Sequence, residues 1–175
     1  MDETTCRRVR AAMETGACEP AEVLADIIEV QSQVRRAAEI DVAEDIIALV
    51  GRHLDAHLDP IAALYRLSLD SREGPSFLRY GSGGFYKRHV DRAHVPSWPS
   101  SAHRQITAVL FLGSSLEVEP SGEFGGGALR LFPDEDASFD IVPTRGMLVA
   151  FPASIPHEVL VVTSGQRDAI VDWFY

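Results

Sequence analysis

The sequence predicts a mainly β domain, a double-stranded β-helix of the jelly-roll or cupin-like barrel kind, with N-terminal helices supporting one face. Three observations carry that expectation. After residue 65 the chain breaks into short runs of β-branched and aromatic residues separated by glycine and proline turns, about eight strands in all. The first third shows helical periodicity instead. At 175 residues the chain can bury the core of one domain and would be cramped as two. Residues 1–175 therefore read as one unit, helical support over 1–65 and the β-helix core over 66–175.

Taken in order, residues 3–16 read as a short helix closing at Gly16. Glu19-Pro20-Ala-Glu-Val-Leu-Ala-Asp-Ile-Ile reads as the start of another, with proline in its first turn. Residues 31–40 read as a partly extended break. Asp41 is then a credible N-cap for a periodic helix from Val42 to about Leu58, and Pro60 opens a shorter one to about Tyr65. Segments 66–70 and 76–80 flank the turn Ser71-Arg-Glu-Gly-Pro75 and suggest a hairpin. Gly81, Gly83 and Gly84 permit a bend before the His89-Val-Asp91 strand. Residues 92–104, with Pro96 and Pro99 around Trp98, read as a loop of the length that forms lids beside sites. Strands follow over 105–112, 125–133, 138–142 and 147–152. His157 heads the next, and a hairpin near Ser164-Gly165 would bring Arg167 to the same mouth of the barrel.

The formal charge is −10, from 26 acidic and 16 basic residues, which repels polyphosphate and argues against a nucleic-acid partner. Cys6 and Cys18 form neither a disulfide framework nor a zinc knuckle. The N-terminus lacks the apolar core of a signal peptide, and no apolar run approaches a membrane span. The expectation is a soluble, cytoplasmic protein without a membrane partner. Nothing in the sequence speaks to oligomeric state.

The chemistry centres on Phe77-Leu-Arg-Tyr-Gly-Ser-Gly-Gly-Phe-Tyr-Lys-Arg-His-Val-Asp91. Side chains alternate along a strand, so His89 and Asp91 project from one face about 7 Å apart. Such a pair fills two corners of an octahedral metal, and a histidine from elsewhere completes the facial triad that leaves positions open on Fe(II). His157 is the candidate. The pair alone is a weak signal, since 6 His and 13 Asp in this chain give about 0.45 His-x-Asp pairs by chance. His53-Leu-Asp55 and His57-Leu-Asp59 fit the same pattern on helical spacing, where i and i+2 diverge. Alternation also places Arg167, Ala169, Val171 and Trp173 on a common face. An arginine inside a barrel calls for an anion, and a bound dicarboxylate would meet it with a two-pronged contact. A surface arginine near the C-terminus is the plainer reading.

Four ordered segments carry a family resemblance: the stretch 77–91, Gly126-Gly-Ala-Leu-Arg-Leu-Phe-Pro133, Gly146-Met-Leu-Val-Ala-Phe-Pro152 with Pro156-His-Glu-Val159, and Arg167-Asp-Ala-Ile-Val-Asp-Trp-Phe174. Together they resemble the Fe(II)/2-oxoglutarate-dependent dioxygenases, in the prolyl 4-hydroxylase-like branch, over residues 66–175. The resemblance implies His89, Asp91 and His157 as iron ligands and Arg167 as the partner of the distal carboxylate of 2-oxoglutarate. Tyr80 falls near that cosubstrate, and Thr107 and Leu129 line its pocket. Where some relatives have a tyrosine that helps hold 2-oxoglutarate, this chain has Phe111, leaving more of the anchoring to Arg167 and Tyr80. The implied reaction is hydroxylation of an aliphatic C–H with O2, 2-oxoglutarate being decarboxylated to succinate, and ascorbate is a candidate accessory. Asp91 favours hydroxylation over halogenation, because related halogenases have a small residue there.

The substrate reads as a small molecule, such as an amino acid, or a peptidyl proline. Trp98, Trp173 and Arg88 are the candidate substrate contacts, each with a bland counterpart: a pinned loop, a core tryptophan, a solvated basic edge. Arg35 and Arg36 could reach the mouth. The alternative from another class is a non-oxidative metal-binding cupin-type module, which leaves Arg167 without a task.

Overall fold

The computed structural model describes residues 1–23, 31–94 and 98–175. Helix α1 (Glu3–Met13) is capped by Asp2, whose carboxylate accepts the Thr5 N–H at 2.9 Å, and buries Cys6, Val9 and Met13 along one stripe. Strand β1 (Cys18–Pro20) replaces the start of the expected second helix. Among the described residues it pairs with β3 (Ala38–Ile40) alone, and at such an edge the missing proline N–H costs no ladder bond. The rest of that expected helix, 24–30, lies outside the described residues. The extended break is present as β2 (Arg35–Arg36) and β3. Helix α2 (Glu44–Asp55) starts after Ala43 rather than at Asp41, whose N–H is committed to Ala17 O at 2.9 Å. Helix α3 (Leu58–Tyr65) follows, with Pro60 in its first turn.

Among the described residues nine strands, against about eight expected, follow residue 65: β4 (Ser76–Gly81), β5 (Phe85–His89), β6 (Ile106–Phe111), β7 (Phe124–Gly126), β8 (Leu129–Leu131), β9 (Phe139–Ile141), β10 (Leu148–Pro152), β11 (His157–Val159) and β12 (Val162–Phe174). The extra one arises because the run 125–133 is divided. Gly126 and Gly127 adopt φ of +66° and +68°, which turns the chain out of one sheet and into the other. The expected hairpin over 66–80 does not form. Asp70 and Ser71 donate to Tyr175 O, and β4 pairs with β3 and β12. There is no reversal at Ser164-Gly165 either. β12 runs 13 residues without turning, pairing first with β7 and then with β4 and β6.

A seven-stranded sheet, ordered β1-β3-β4-β12-β6-β10 with β7 on β12, faces a five-stranded sheet ordered β2-β5-β11-β8-β9. This is the double-stranded β-helix arrangement, as two facing sheets rather than a closed barrel. Alternation decides which residues serve which layer. Ile106, Ala108 and Leu110 of β6, with Ile170 and Phe174 of β12, pack under Val9, Val50 and Leu54 of the helices. Val109, Phe111 and Ala169 turn the other way and meet Leu129 and Leu131 of the opposing sheet. The helices therefore cover one outer face, as expected, and the space between the sheets is free to hold a site. No helix among the described residues is long and apolar enough to cross a membrane.

The helix layer is also fastened by charge. Asp168, its side chain fully buried, accepts from Arg10 Nε at 3.1 Å and from Arg79 Nε at 2.8 Å, while Arg10 and Arg145 both pair with Glu123. Asp168→Ala removes the buried carboxylate that two guanidinium groups share, leaving Arg10 with Glu123 and Arg79 with the exposed Glu14. Urea denaturation is expected to show a loss of about 3–5 kcal/mol, and a loss under 1 kcal/mol would mean the network is ornamental.

Candidate active site

Between the sheets, β5 and β11 pair with a bulge: His157 lies opposite His89 and Val159 opposite Tyr86, so two steps on one strand span three on the other. Lys87 and Arg88 both turn out to solvent, and Tyr86 returns to the same side as His89, their rings stacked at 3.5 Å. Asp91 lies two residues beyond the end of β5 rather than on the strand. It is held from three directions. Its N–H donates to Ala153 O at 3.1 Å, its carbonyl accepts from Arg104 Nη1 at 3.3 Å, and its Oδ2 accepts from Thr107 Oγ1 at 2.7 Å.

The outcome is a His-Asp-His cluster. One ligand atom from each of His89, Asp91 and His157 lies within 4.8 Å of the others. His89 Nε2 is 3.5 Å from Asp91 Oδ1, and His157 Nε2 is 3.4 Å from Oδ2. Each imidazole is oriented the same way, with Nδ1 against the carbonyl two residues earlier: Lys87 O at 2.8 Å and Ile155 O at 2.9 Å. A carbonyl only accepts, so Nδ1 carries the hydrogen and Nε2 presents its lone pair to the centre. Burial opposes the charge on Asp91, yet His157 and His89 hold its carboxyl well below the usual range. Burial pushes His157 below the ordinary imidazole value, against the pull of Asp91. An ionised carboxylate and a neutral imidazole are the forms that bind metal.

The Thr107 hydroxyl donates to Asp91 from inside the buried wall. Thr107→Val keeps the shape and removes that bond. Metal titration is expected to show affinity falling about 10- to 100-fold, and an unchanged dissociation constant would remove Thr107 from the centre.

The cluster opens into a cavity of about 90 Å³. Arg167 enters it from β12, opposite Tyr80 in register. Its guanidinium carbon lies 5.0 Å from the Tyr80 ring and 5.2 Å from the Phe111 ring, and only 2% of the residue is exposed. Its Nε has no hydrogen-bond partner among the described residues. Burial draws the guanidinium below its usual range, opposed by Tyr80 and Asp168. Gly127 makes room for the stem, since a Cβ there would meet Arg167 Cδ at 2.9 Å. A buried guanidinium with an orphaned donor is a site for a carboxylate, and the donor set beside it suits a divalent iron with positions to spare. The residues therefore fit both a metal and a dicarboxylate.

Tyr80, Thr107, Leu129, Trp98 and Trp173 all line this cavity. Arg88 does not: it stacks over Phe132 at 4.1 Å on the exposed side, because the bulge sends it outward. Of the loop expected over 92–104, Pro99–His103 forms a 3-10 turn, and 95–97 lie outside the described residues. Several wall residues escaped sequence reasoning, Tyr86 and Arg104 among them. Tyr86 is three positions from His89, the wrong parity for a regular strand. Arg104 is buried, paired with Glu73 at 2.8 and 2.6 Å, and wedged between Trp173 at 3.7 Å and Trp98 at 5.1 Å. Its partner comes from the segment read as a turn, so no local pattern marks it.

Two facing sheets enclosing a His-Asp-His cluster and a buried arginine define a metal-dependent oxygenase of the double-stranded β-helix class. The profile of the 2OG-Fe(II) oxygenase superfamily matches residues 75–175, and the chain belongs to that family, in its prolyl 4-hydroxylase-like branch. A PKHD-type hydroxylase of Acidovorax ebreus (strain TPSY) is 28% identical over 183 residues, covering 99% of this chain and 74% of that protein. A PKHD-type hydroxylase of Nitrobacter winogradskyi is 36% identical over 101 residues, 57% of this chain and 42% of that one. Among solved structures, a Pseudomonas putida prolyl-4-hydroxylase aligns at 27% identity with a TM-score of 0.73, covering 98% of this chain and 84% of the other. A Trichoplax adhaerens prolyl hydroxylase, in complex with a hypoxia inducible factor peptide fragment, shares the fold at a TM-score of 0.75 and 20% identity, with coverage of 99% and 77%. The protein is a 2-oxoglutarate-dependent hydroxylase using Fe(II) and 2-oxoglutarate.

Proposed function

We propose that His89, Asp91 and His157 hold the iron, that Arg167 takes the distal carboxylate of 2-oxoglutarate against Tyr80 and Leu129, and that the enzyme hydroxylates an aliphatic carbon while 2-oxoglutarate is decarboxylated to succinate. The target is a carbon of an amino acid, free or as a peptidyl proline, a reading supported by the prolyl hydroxylase neighbours. One observation carries the proposal: a buried guanidinium with an orphaned donor shares a cavity with the His-Asp-His cluster. The bound metal and cosubstrate supply the oxidising power. The chain's own work is to orient. The two Nδ1 bonds fix which imidazole nitrogens face the centre, Thr107 fixes the carboxylate, and the walls of Tyr80, Phe111 and Leu129 keep water from the cosubstrate side. The cupin-type binding module, without turnover, gives Arg167 nothing to bind and sits poorly with the family.

Anaerobic addition of Fe(II) and 2-oxoglutarate is expected to produce a weak visible metal-to-ligand band, and admission of O2 to release succinate. A wild-type protein showing neither would end the proposal.

A further inference from the structure

Three arginines line the cavity: Arg35, Arg104 and Arg167. Arg104 is neutralised by Glu73, and Arg167 is assigned to the cosubstrate in the function proposed above, on which this inference rests. Arg35 remains. It lies on β2 in register with Tyr86, its guanidinium carbon 4.7 Å over the Tyr86 ring, and that ring stacks in turn on His89. The charge therefore stands one ring layer from a residue of the metal cluster. Its Nη1 donates to the backbone carbonyl of Glu22 at 2.6 Å, its Nε is buried without a partner, and no carboxylate lies within ion-pair distance among the described residues. The same wall includes Glu22, which meets Arg35 through its backbone carbonyl, and Glu39, whose charge acts on Arg35 at longer range; neither makes an ion pair among the described residues.

Among the described residues this guanidinium and these two glutamates make no direct ion pair, and together they form the complement of a zwitterion. We infer that this wall recognises a free α-amino acid, Arg35 taking the α-carboxylate and Glu39, assisted by Glu22, the α-ammonium, so that the side chain is directed toward His89, Asp91 and His157. An internal peptide residue carries neither charge. Its amides would cover Arg35 and Glu39 without replacing the water they lose, a cost that free amino acids avoid. Tyr86 sets the depth, separating the charged end of the substrate from the metal by one aromatic layer.

The test uses the intact chain with Fe(II) and 2-oxoglutarate, offered the twenty protein amino acids and their N-acetyl amides. Binding is read anaerobically from perturbation of the visible band and by calorimetry, and turnover from succinate release in air. At least one free amino acid is expected to bind and stimulate succinate release, with its capped form at least about tenfold weaker. Arg35→Gln is expected to raise the dissociation constant of that amino acid about tenfold or more, Arg35→Lys to recover part of the loss, and Arg36→Gln, on the exposed side of the same strand, to change nothing. Capped forms binding as well as free ones, no free amino acid binding, or an Arg35→Gln variant with unchanged affinity would overturn the inference. So would loss of the visible band itself in Arg35→Gln, because the arginine would then be a prop for Tyr86 and His89. Failure of the oxygenase reading is distinct: the wild type would lack both band and succinate.

Discussion

Asp91→Ala is expected to abolish the Fe(II)–2-oxoglutarate band and to lower turnover by about a thousandfold or more. Asp91 is the anionic member of the cluster, the other two being imidazoles of which His157 is held neutral by burial. A metal centre contributes several kcal/mol to its reaction, and each 1.36 kcal/mol is a factor of ten in rate. The fold should survive. The backbone of residue 91 keeps its bonds to Ala153 and Arg104, and Thr107 loses one acceptor. The melting temperature of the metal-free variant is therefore expected near that of the metal-free wild type. A variant that kept the band, or more than a tenth of wild-type turnover, would show the iron to lie elsewhere.

Arg167→Met should move two quantities in opposite directions. The KM for 2-oxoglutarate is expected to rise about a hundredfold, since charge-assisted bonds contribute about 1.5–3 kcal/mol and a carboxylate engages a guanidinium through two of them. Phe111 offers no hydroxyl to compensate. Without ligands, the variant is expected to be more stable than wild type by about 1–3 kcal/mol, because the substitution removes a buried charge with an orphaned Nε and leaves a stem of similar bulk between Tyr80 and Gly127. Steady-state kinetics and chemical denaturation of the metal-free protein give the two readings. A destabilised variant with a KM within threefold of wild type would mean that Arg167 is a structural cation.

How much of this could be read from the chain depends on where regularity holds. Parity along β12 places Arg167 and Trp173 in the cavity and Asp168 and Ile170 behind it, and that much follows from alternation alone. The same rule fails at β5. There the bulge puts Tyr86 with His89 and expels Arg88, and bulges leave no mark in a run such as Phe-Tyr-Lys-Arg-His. Pro20 misled because its fixed φ suits both a helix's first turn and an edge strand. Gly126 and Gly127 read as the opening of a strand over 125–133, and nothing local marks them as a crossing between sheets. The Arg104–Glu73 pair depends on tertiary closure over 31 positions and has no local signature.

β12 sends Arg167 into the cavity and, one residue on, is bolted to α1 and β4 by Asp168. The oxidising machinery is thus anchored in a part of the chain that tolerates little drift. The wall carrying Arg35 and Glu39 comes instead from short N-terminal strands at the sheet margins. On the assignment proposed above, selectivity and power fall on separate stretches, so descendants of such a scaffold could acquire new targets by rewriting residues 18–40, and chimeras exchanged at that boundary would inherit the appetite of one parent and the engine of the other.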